Sequence, residues 1–365
     1  MKLIADINMP GLDNTFGRHG SVHRLHGRRI SRDDLVNADA LLVRSVTQVD
    51  ADLLQGSKVR FVGSATIGID HLDTNWLEAN HIAWAHAPGC NADAAAQYTL
   101  AMMWLACERL AKDFRQQTVG IIGRGNVGRR LEHLLKTLDI PVVACDPPLQ
   151  DKGEQQLVSM QEACANSIIS LHIPLTRSVD YPTENLFAKN QLATLRPGTL
   201  MVNASRGGVI EGSALLAQLK SGNLYAALDV WPNEPLITRE LLNLVTVASP
   251  HIAGYSLEGK HAGTEMIYRA FLDAFEVQPD QQEAEKSNAV TVDYFPSTPI
   301  DEILQQLLNS SCPVSRDDAA LRATPGEFDK LRSSYPQRHE FKSHLVNGVT
   351  GNNARLLEQM GFKLS

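Results

Sequence analysis

Cysteine is scarce in this sequence: five among 365 residues, at Cys90, Cys107, Cys145, Cys164 and Cys312, with no CxxC pair. An odd, scattered set excludes a disulfide framework and leaves no thiolate cluster for zinc, so no metal site is expected. Reduced cysteines of this kind fit a cytoplasmic protein. Long hydrophobic runs are missing as well. The opening MKLIADINMP has too short an apolar run for a signal peptide, and the densest apolar stretch, Tyr98 to Cys107, falls below membrane-spanning length. Nor is there a basic excess: 34 Lys and Arg against 41 Asp and Glu leave a formal charge of −7. That balance argues against nucleic acid or a membrane surface as the partner, while a locally basic pocket remains compatible with small phosphorylated molecules. The chain shows no internal repeat and no low-complexity tract.

What is present is apolar content of 43%, enough for sizeable cores in two or three domains. The most informative stretch runs from Thr118 to Pro148, TVGIIGRGNVGRRLEHLLKTLDIPVVACDPP. Val119 to Ile122 reads as a buried parallel strand, and Gly123, Gly125 and Gly128 form GxGxxG at the turn into a helix. Gly123 permits the tight turn, Gly125 lets amides near Asn126 and Val127 approach a pyrophosphate, and Gly128 allows close helix–strand packing. The helix continues through Leu131, Leu134, Leu135 and Leu138 until Pro141, and a second strand, Val142 to Cys145, ends at Asp146. A carboxylate there, 23 positions after Gly123, suits an adenosine ribose and would repel a 2′-phosphate, which predicts NAD as cofactor. Glycine-rich turns also occur without a nucleotide; the flanking strands and Asp146 favour the dinucleotide.

Before this unit, Lys2 to Ile7, Ala40 to Arg44, Val59 to Val62 and Ile82 to Ala85 read as strands of a small α/β domain. A long helix is expected over Asp93 to Leu110, with Ala96, Leu100, Met103, Ala106 and Leu110 on one face. After Asp146, strands are expected at Ser167 to His172, Leu200 to Ala204, Tyr225 to Val230 and Val245 to Ala248, with a helix at Ser213 to Ser221. That alternation predicts a doubly wound parallel sheet. Leu257 to Phe275 reads as a helix that would return the chain to the first domain and make it discontinuous. The polar stretch Gln278 to Ala289 reads as a linker. Beyond it, Ile300, Leu304 and Leu307, then Asp317 to Leu321 with Phe328 and Leu331, mark helices, and FKSHLVNG a strand. About eighty residues bury little core alone, so this tail is expected to dock on the main body or another subunit.

Three further motifs fall near strand ends, where an open α/β sheet binds ligands: VNASRGGVI, ALDVWPNEP and SPHIAGYS. Arg206, followed by Gly207 and Gly208, reads as a two-pronged grip on a carboxylate, or as a surface arginine at a turn. Glu234 lies just past Asp229, and His251 opens the loop after the last strand. A histidine paired with a carboxylate is a competent proton carrier; the alternative is a structural histidine among the chain's twelve.

In the order GRGNVG, SRGG, ALDVW with NEP, and PHIAGY, the chain resembles the D-isomer-specific 2-hydroxyacid dehydrogenase family over residues 1 to 275. The resemblance implies a Rossmann-type NAD-binding domain at 93–255. It implies a smaller flavodoxin-like, substrate-binding α/β domain at 1–92 plus 256–280. Arg206, Glu234 and His251 then carry over as catalytic residues. The cofactor would be held by Gly123, Gly125, Asn126, Val127, Gly128, Asp146, Ser205, Asp229 and Gly254, with Asp229 facing the nicotinamide carboxamide. Ser45, Thr66 and Tyr255 would contact substrate, although serine and threonine at strand ends also satisfy local backbone groups. VRSVTQVD, VGSATIGIDHLD, APGCNADAAAQY and FPSTPIDEIL narrow the resemblance to a branch acting on a phosphorylated, polyhydroxylated 2-hydroxy acid. That branch carries a C-terminal α+β dimerisation domain, placed here at 290–365, and implies a homodimer. Arg44, and Arg338 with His339, are candidates for a substrate phosphate or simply solvated charges. In LHIPL, Ile173 stands where the family commonly has threonine and lacks a hydroxyl that can help seat the cofactor. VTGNNARLLEQMGFKLS yields no motif. The alternatives are another 2-hydroxyacid dehydrogenase, such as one acting on phosphoglycerate, and a non-catalytic NAD-binding regulator on the same fold.

Overall fold

The structure, a computed structural model, describes residues 1–177, 180–278, 290–295 and 297–365. The chain divides into two compact units, Met1–Asn91 with Ser256–Ser287, and Ala92–Tyr255 with Asn288–Ser365. The stretch read as a linker lies, from residue 279 to 289, outside the described residues.

The first unit is built on a parallel sheet of β1 (Lys2–Asp6), β2 (Ser21–Leu25), β3 (Ala40–Val43), β4 (Phe61–Ser64) and β5 (Ala83–His86), in the order β2-β1-β3-β4-β5. Alternating apolar side chains cover both faces. Leu3, Ala5, Leu42 and Phe61 pack with Ile267, Tyr268 and Phe271 of the helix Leu257–Phe275. Ile4, Leu41, Val43 and Val62 pack with Leu35, Leu54 and Leu77. Sequence periodicity missed β2. Its residues, SVHRL, are mostly exposed because it pairs only with β1 at the sheet edge, so it carries no apolar signature.

The second unit holds β6 (Val119–Ile122), β7 (Val142–Cys145), β8 (Ile168–Leu171), β9 (Thr199–Asn203), β10 (Leu224–Leu228) and β11 (Val247–Ala248). They form one parallel sheet in the order β11-β10-β9-β8-β6-β7. Strand order reverses between β6 and β8, the position where an open α/β sheet opens a crevice at its carboxyl edge. The expected long helix is present as Ala92–Arg109. Toward the C-terminus, helices Ile300–Ser311, Val314–Ala323, Phe328–Ser333 and Gly351–Met360 accompany a second parallel sheet of β12 (Val290–Asp293), β13 (His344–Asn347) and β14 (Lys363–Leu364). Leu304, Leu307, Phe341 and Leu357 share one buried cluster with Leu100, Met103, Leu131 and Val202. The apolar stripe read in the tail thus joins the core of the larger sheet, where each buried leucine contributes on the order of 2 kcal/mol.

Candidate active site

The glycine turn after β6 is shaped by what its residues lack. Gly123 has φ of 94°, and a Cβ there would lie 2.5 Å from the His172 carbonyl oxygen and 2.6 Å from Ile173 Cγ2. At Gly128 a Cβ would lie 2.1 Å from the Gly123 carbonyl oxygen. Neither position tolerates a side chain. Gly125 differs: it caps the helix Asn126–Thr137, and a Cβ there would meet nothing within 4 Å. The first amides of that helix, at Asn126, Val127 and Gly128, have no intrahelical acceptor and make an anion cradle.

Asp146 sits at the end of β7, its Oδ2 accepting from the Arg124 amide at 2.7 Å and its Oδ1 from the Leu149 amide at 3.1 Å. The cations nearby are already paired. Arg124 binds Glu132 at 2.6 Å and Glu154 at 2.7 Å, and Arg129 binds Glu154 at 3.0 Å. Burial opposes ionisation of Glu132, but Arg124 and Lys136 hold its carboxyl below the ordinary range. Glycine turn, helix N-terminus and acidic strand end therefore fit an NAD pyrophosphate and a ribose hydroxyl rather than a 2′-phosphate. At β8, His172 shares a hydrogen bond with Ser170 at 2.8 Å, and desolvation pushes its ring down to about 4.

The other three motifs stand at the carboxyl ends of the adjacent strands β9, β10 and β11. Glu234, past β10, accepts from the Trp231 amide at 2.8 Å, and its Oε2 lies 2.7 Å from His251 Nδ1. Burial of Glu234 opposes its charge, yet His251, the Trp231 amide and Arg332 together hold its carboxyl below the usual value. An ionised carboxylate only accepts, so Nδ1 carries the proton toward Glu234 and Nε2 is the atom left to exchange one.

His251 adopts φ of 56°, in the left-handed region that residues other than glycine seldom occupy. The loop is forced there by Asp229. The Asp229 carbonyl accepts from the His251 amide at 2.7 Å, and its carboxylate accepts from the Ser249 hydroxyl at 2.6 Å and the Ile252 and Ala253 amides at 2.8 and 3.0 Å. Asp229 is 1% exposed; its amide donates to the Asn203 carbonyl at 2.9 Å while its carboxylate holds this loop. Trp231 adds a bond from Nε1 to the Ser249 carbonyl at 2.9 Å. The bonds of Asp229 to the loop, and the parts played by Trp231 and Ser249, join positions about twenty residues apart and follow from no local pattern.

Arg206 follows β9, with Nη1 donating to the Ser205 carbonyl at 2.8 Å, and Ser205 is fixed by Asn203 Oδ1 at 2.8 Å. The two glycines after Arg206 serve packing: a Cβ on Gly207 would lie 2.0 Å from the Trp231 carbonyl oxygen and one on Gly208 3.3 Å from Leu175. Gly254 and Tyr255 continue the histidine loop. In the first unit, Ser45 is exposed beyond β3, and Arg44 beside it is half-buried. Thr66, beyond β4, donates to the Gly68 carbonyl at 2.9 Å and shares a 2.7 Å bond with Ser64, which also meets His71 at 2.8 Å. One expectation fails. Arg338 is 5% exposed and donates to the carbonyls of Ala253 at 2.5 Å and Tyr255 at 2.9 Å, so it is no solvated charge and does not face a phosphate.

Among the described residues no group of His, Cys, Asp and Glu could hold a metal ion, and no helix is long and apolar enough to cross a membrane. Residues 83–253 match the family described as D-isomer specific 2-hydroxyacid dehydrogenase, NAD binding domain, and residues 284–361 match a domain of unknown function, DUF3410. The chain is 43% identical to the erythronate-4-phosphate dehydrogenase of Marinobacter nauticus, covering 100% of both chains. It is 42% identical to that of Proteus mirabilis over 99% of each. Among solved structures, a Thermus thermophilus protein superimposes with a TM-score of 0.67 at 23% identity, covering 78% of this chain and 100% of its own. The NAD+-bound 3-phosphoglycerate dehydrogenase of Entamoeba histolytica gives 0.66 at 22%, covering 76% and 95%; both share the fold.

Proposed function

We propose, since this chain belongs to the D-isomer specific 2-hydroxyacid dehydrogenase family and within it to the erythronate-4-phosphate dehydrogenases, that it oxidises 4-phospho-D-erythronate to 2-oxo-3-hydroxy-4-phosphobutanoate. The observation that carries the reading is the 2.7 Å pair of His251 and Glu234 on the same sheet edge as the glycine turn. NAD bound there by Gly123 to Gly128 and Asp146 supplies the hydride acceptor. His251 Nε2 takes the proton of the C2 hydroxyl. Glu234 fixes the imidazole by its Nδ1 and stabilises the charge that results. Arg206 grips the substrate carboxylate and polarises the developing carbonyl. Ser205, Asp229 and Gly254 complete the cofactor side, Asp229 facing the nicotinamide carboxamide as well as holding the loop. Ser45, Thr66 and Tyr255 contact substrate.

On this reading residues 1–92 with 256–280 bind substrate, 93–255 bind NAD, and 290–365 mediate a homodimer. The protein is cytoplasmic and serves the synthesis of pyridoxal 5′-phosphate. The test is turnover of 4-phospho-D-erythronate beside 3-phospho-D-glycerate at equal concentration with NAD and traps for product and NADH. Preference for the erythronate acid is expected. Preference for phosphoglycerate overturns the substrate, and absence of turnover with NADH binding intact brings the regulator forward.

A further inference from the structure

Strand β11 is only two residues long and pairs on one side with β10, yet it launches the loop that carries His251. An edge strand this short needs other partners. They come from the C-terminal helix Val314–Ala323. Asp318 Oδ1 accepts from the Ala248 amide at 2.7 Å, and Arg322 donates to the carbonyls of Leu242 and Val245 at 2.6 and 2.9 Å. Arg109 joins Asp318 at 2.8 Å and donates to the Thr246 carbonyl at 2.7 Å.

Further along, Arg338 reaches the loop itself. Its guanidinium, besides its bonds to Ala253 and Tyr255, donates to Cys312 Sγ at 3.2 Å and lies 5.1 Å from the centre of the Tyr98 ring. A charge so deeply buried is costly unless its donors are used, and here they satisfy carbonyls of a loop that has no sheet ladder. Arg332, its side chain 10% exposed, lies 5.9 Å from the centres of the Tyr255 and Phe328 rings and meets Asp329 at 3.9 Å. Its charge also acts on Glu234. Tyr335 packs edge-on to Tyr255 at 6.1 Å while its hydroxyl, together with that of Tyr98, donates to Asp317 at 2.7 and 2.9 Å.

We infer that residues 314–338, inside the segment matching a domain of unknown function, brace the catalytic loop of their own chain, with Arg338 and Arg332 as positioning residues for His251, Glu234 and Tyr255. The catalytic part rests on the roles given above to His251 and Glu234; the bracing does not. It is distinct from any part the segment plays in dimerisation.

The test uses full-length protein in three variants. Arg338→Met is expected to raise amide exchange in peptides covering 249–255 about tenfold, with 119–145 unchanged, read by mass spectrometry. Arg332→Leu is expected to lower kcat roughly 10- to 100-fold with NADH affinity within twofold, and Arg332→Lys to recover most of it. Wild-type exchange in R338M, R332L turnover within twofold of wild type, or a loss that R332K leaves unrecovered overturns the inference. Should R338M not fold, R338K carries the same exchange measurement. Wild-type protein that turns over no hydroxy acid while R338M still loosens the loop would sink the catalytic reading and leave the brace standing.

Discussion

The two halves of the larger sheet, one around β6 and the other around β11, hold their loops by opposite means. At β6, the turn is made by side chains that are missing: two glycines let backbone approach backbone where a Cβ would lie 2.1 and 2.5 Å from a carbonyl oxygen. At β11, the loop is made by side chains that are present and buried, with Asp229, Trp231 and Arg338 bonding its backbone and Asp318 that of the strand itself. The first device is local and confined to one βαβ unit. The second collects groups from β10, from the loop after it and from a segment about ninety residues downstream. The glycine turn is thus set by steric vacancy, while the loop that carries His251 depends on a buried polar network.

The largest effect that separates the halves is expected from His251→Gln. Turnover should fall about 10²- to 10⁴-fold while NADH affinity stays within twofold, measured by steady-state kinetics and fluorescence titration. Asp229→Asn comes next: weakening the bonds to Ser249, Ile252 and Ala253 should cost about 1.5–3 kcal/mol in denaturant unfolding and lower kcat with it. At the glycine turn, stability and binding should come apart. Gly128→Ala forces a contact with the Gly123 carbonyl and should cost about 1–3 kcal/mol. Gly125→Ala meets only open space, so its Tm should match wild type while its Kd for NADH rises about tenfold, or ~1.4 kcal/mol. Equal loss of stability in both glycine variants would erase the distinction between packing and ligand-facing glycines.

A pH dependence from His172 stands apart from both loops. Its folded value of about 4 lies below that of an unfolded histidine, so the unfolded chain binds the proton first as pH falls. The stability tied to its neutral ring is complete above about 6.5 and is lost down to about 4, at up to about 1.4 kcal/mol per pH unit. His172→Asn should flatten the unfolding free energy across that window. An unchanged slope would show that His172 does not control it.

Much was determined by the sequence alone. Apolar runs bounded by turns marked most strands to within a residue or two, because a buried parallel strand is apolar throughout. The glycine spacing and Asp146 placed the dinucleotide unit, because conformational need there is a property of single residues. The order of motifs placed Arg206, Glu234 and His251 at three strand ends, and the fold puts those strands side by side. Tertiary structure decided the rest. The edge strand Ser21–Leu25 carries too little apolar signal to be read. Arg338 was visible as a cation, but only packing shows that its charge is buried against two carbonyls instead of facing a phosphate. Asp229 and the residues from Val314 to Arg338 act through hydrogen bonds between positions far apart in sequence. No local period encodes such bonds, and the geometry that makes them exists only once the chain has folded.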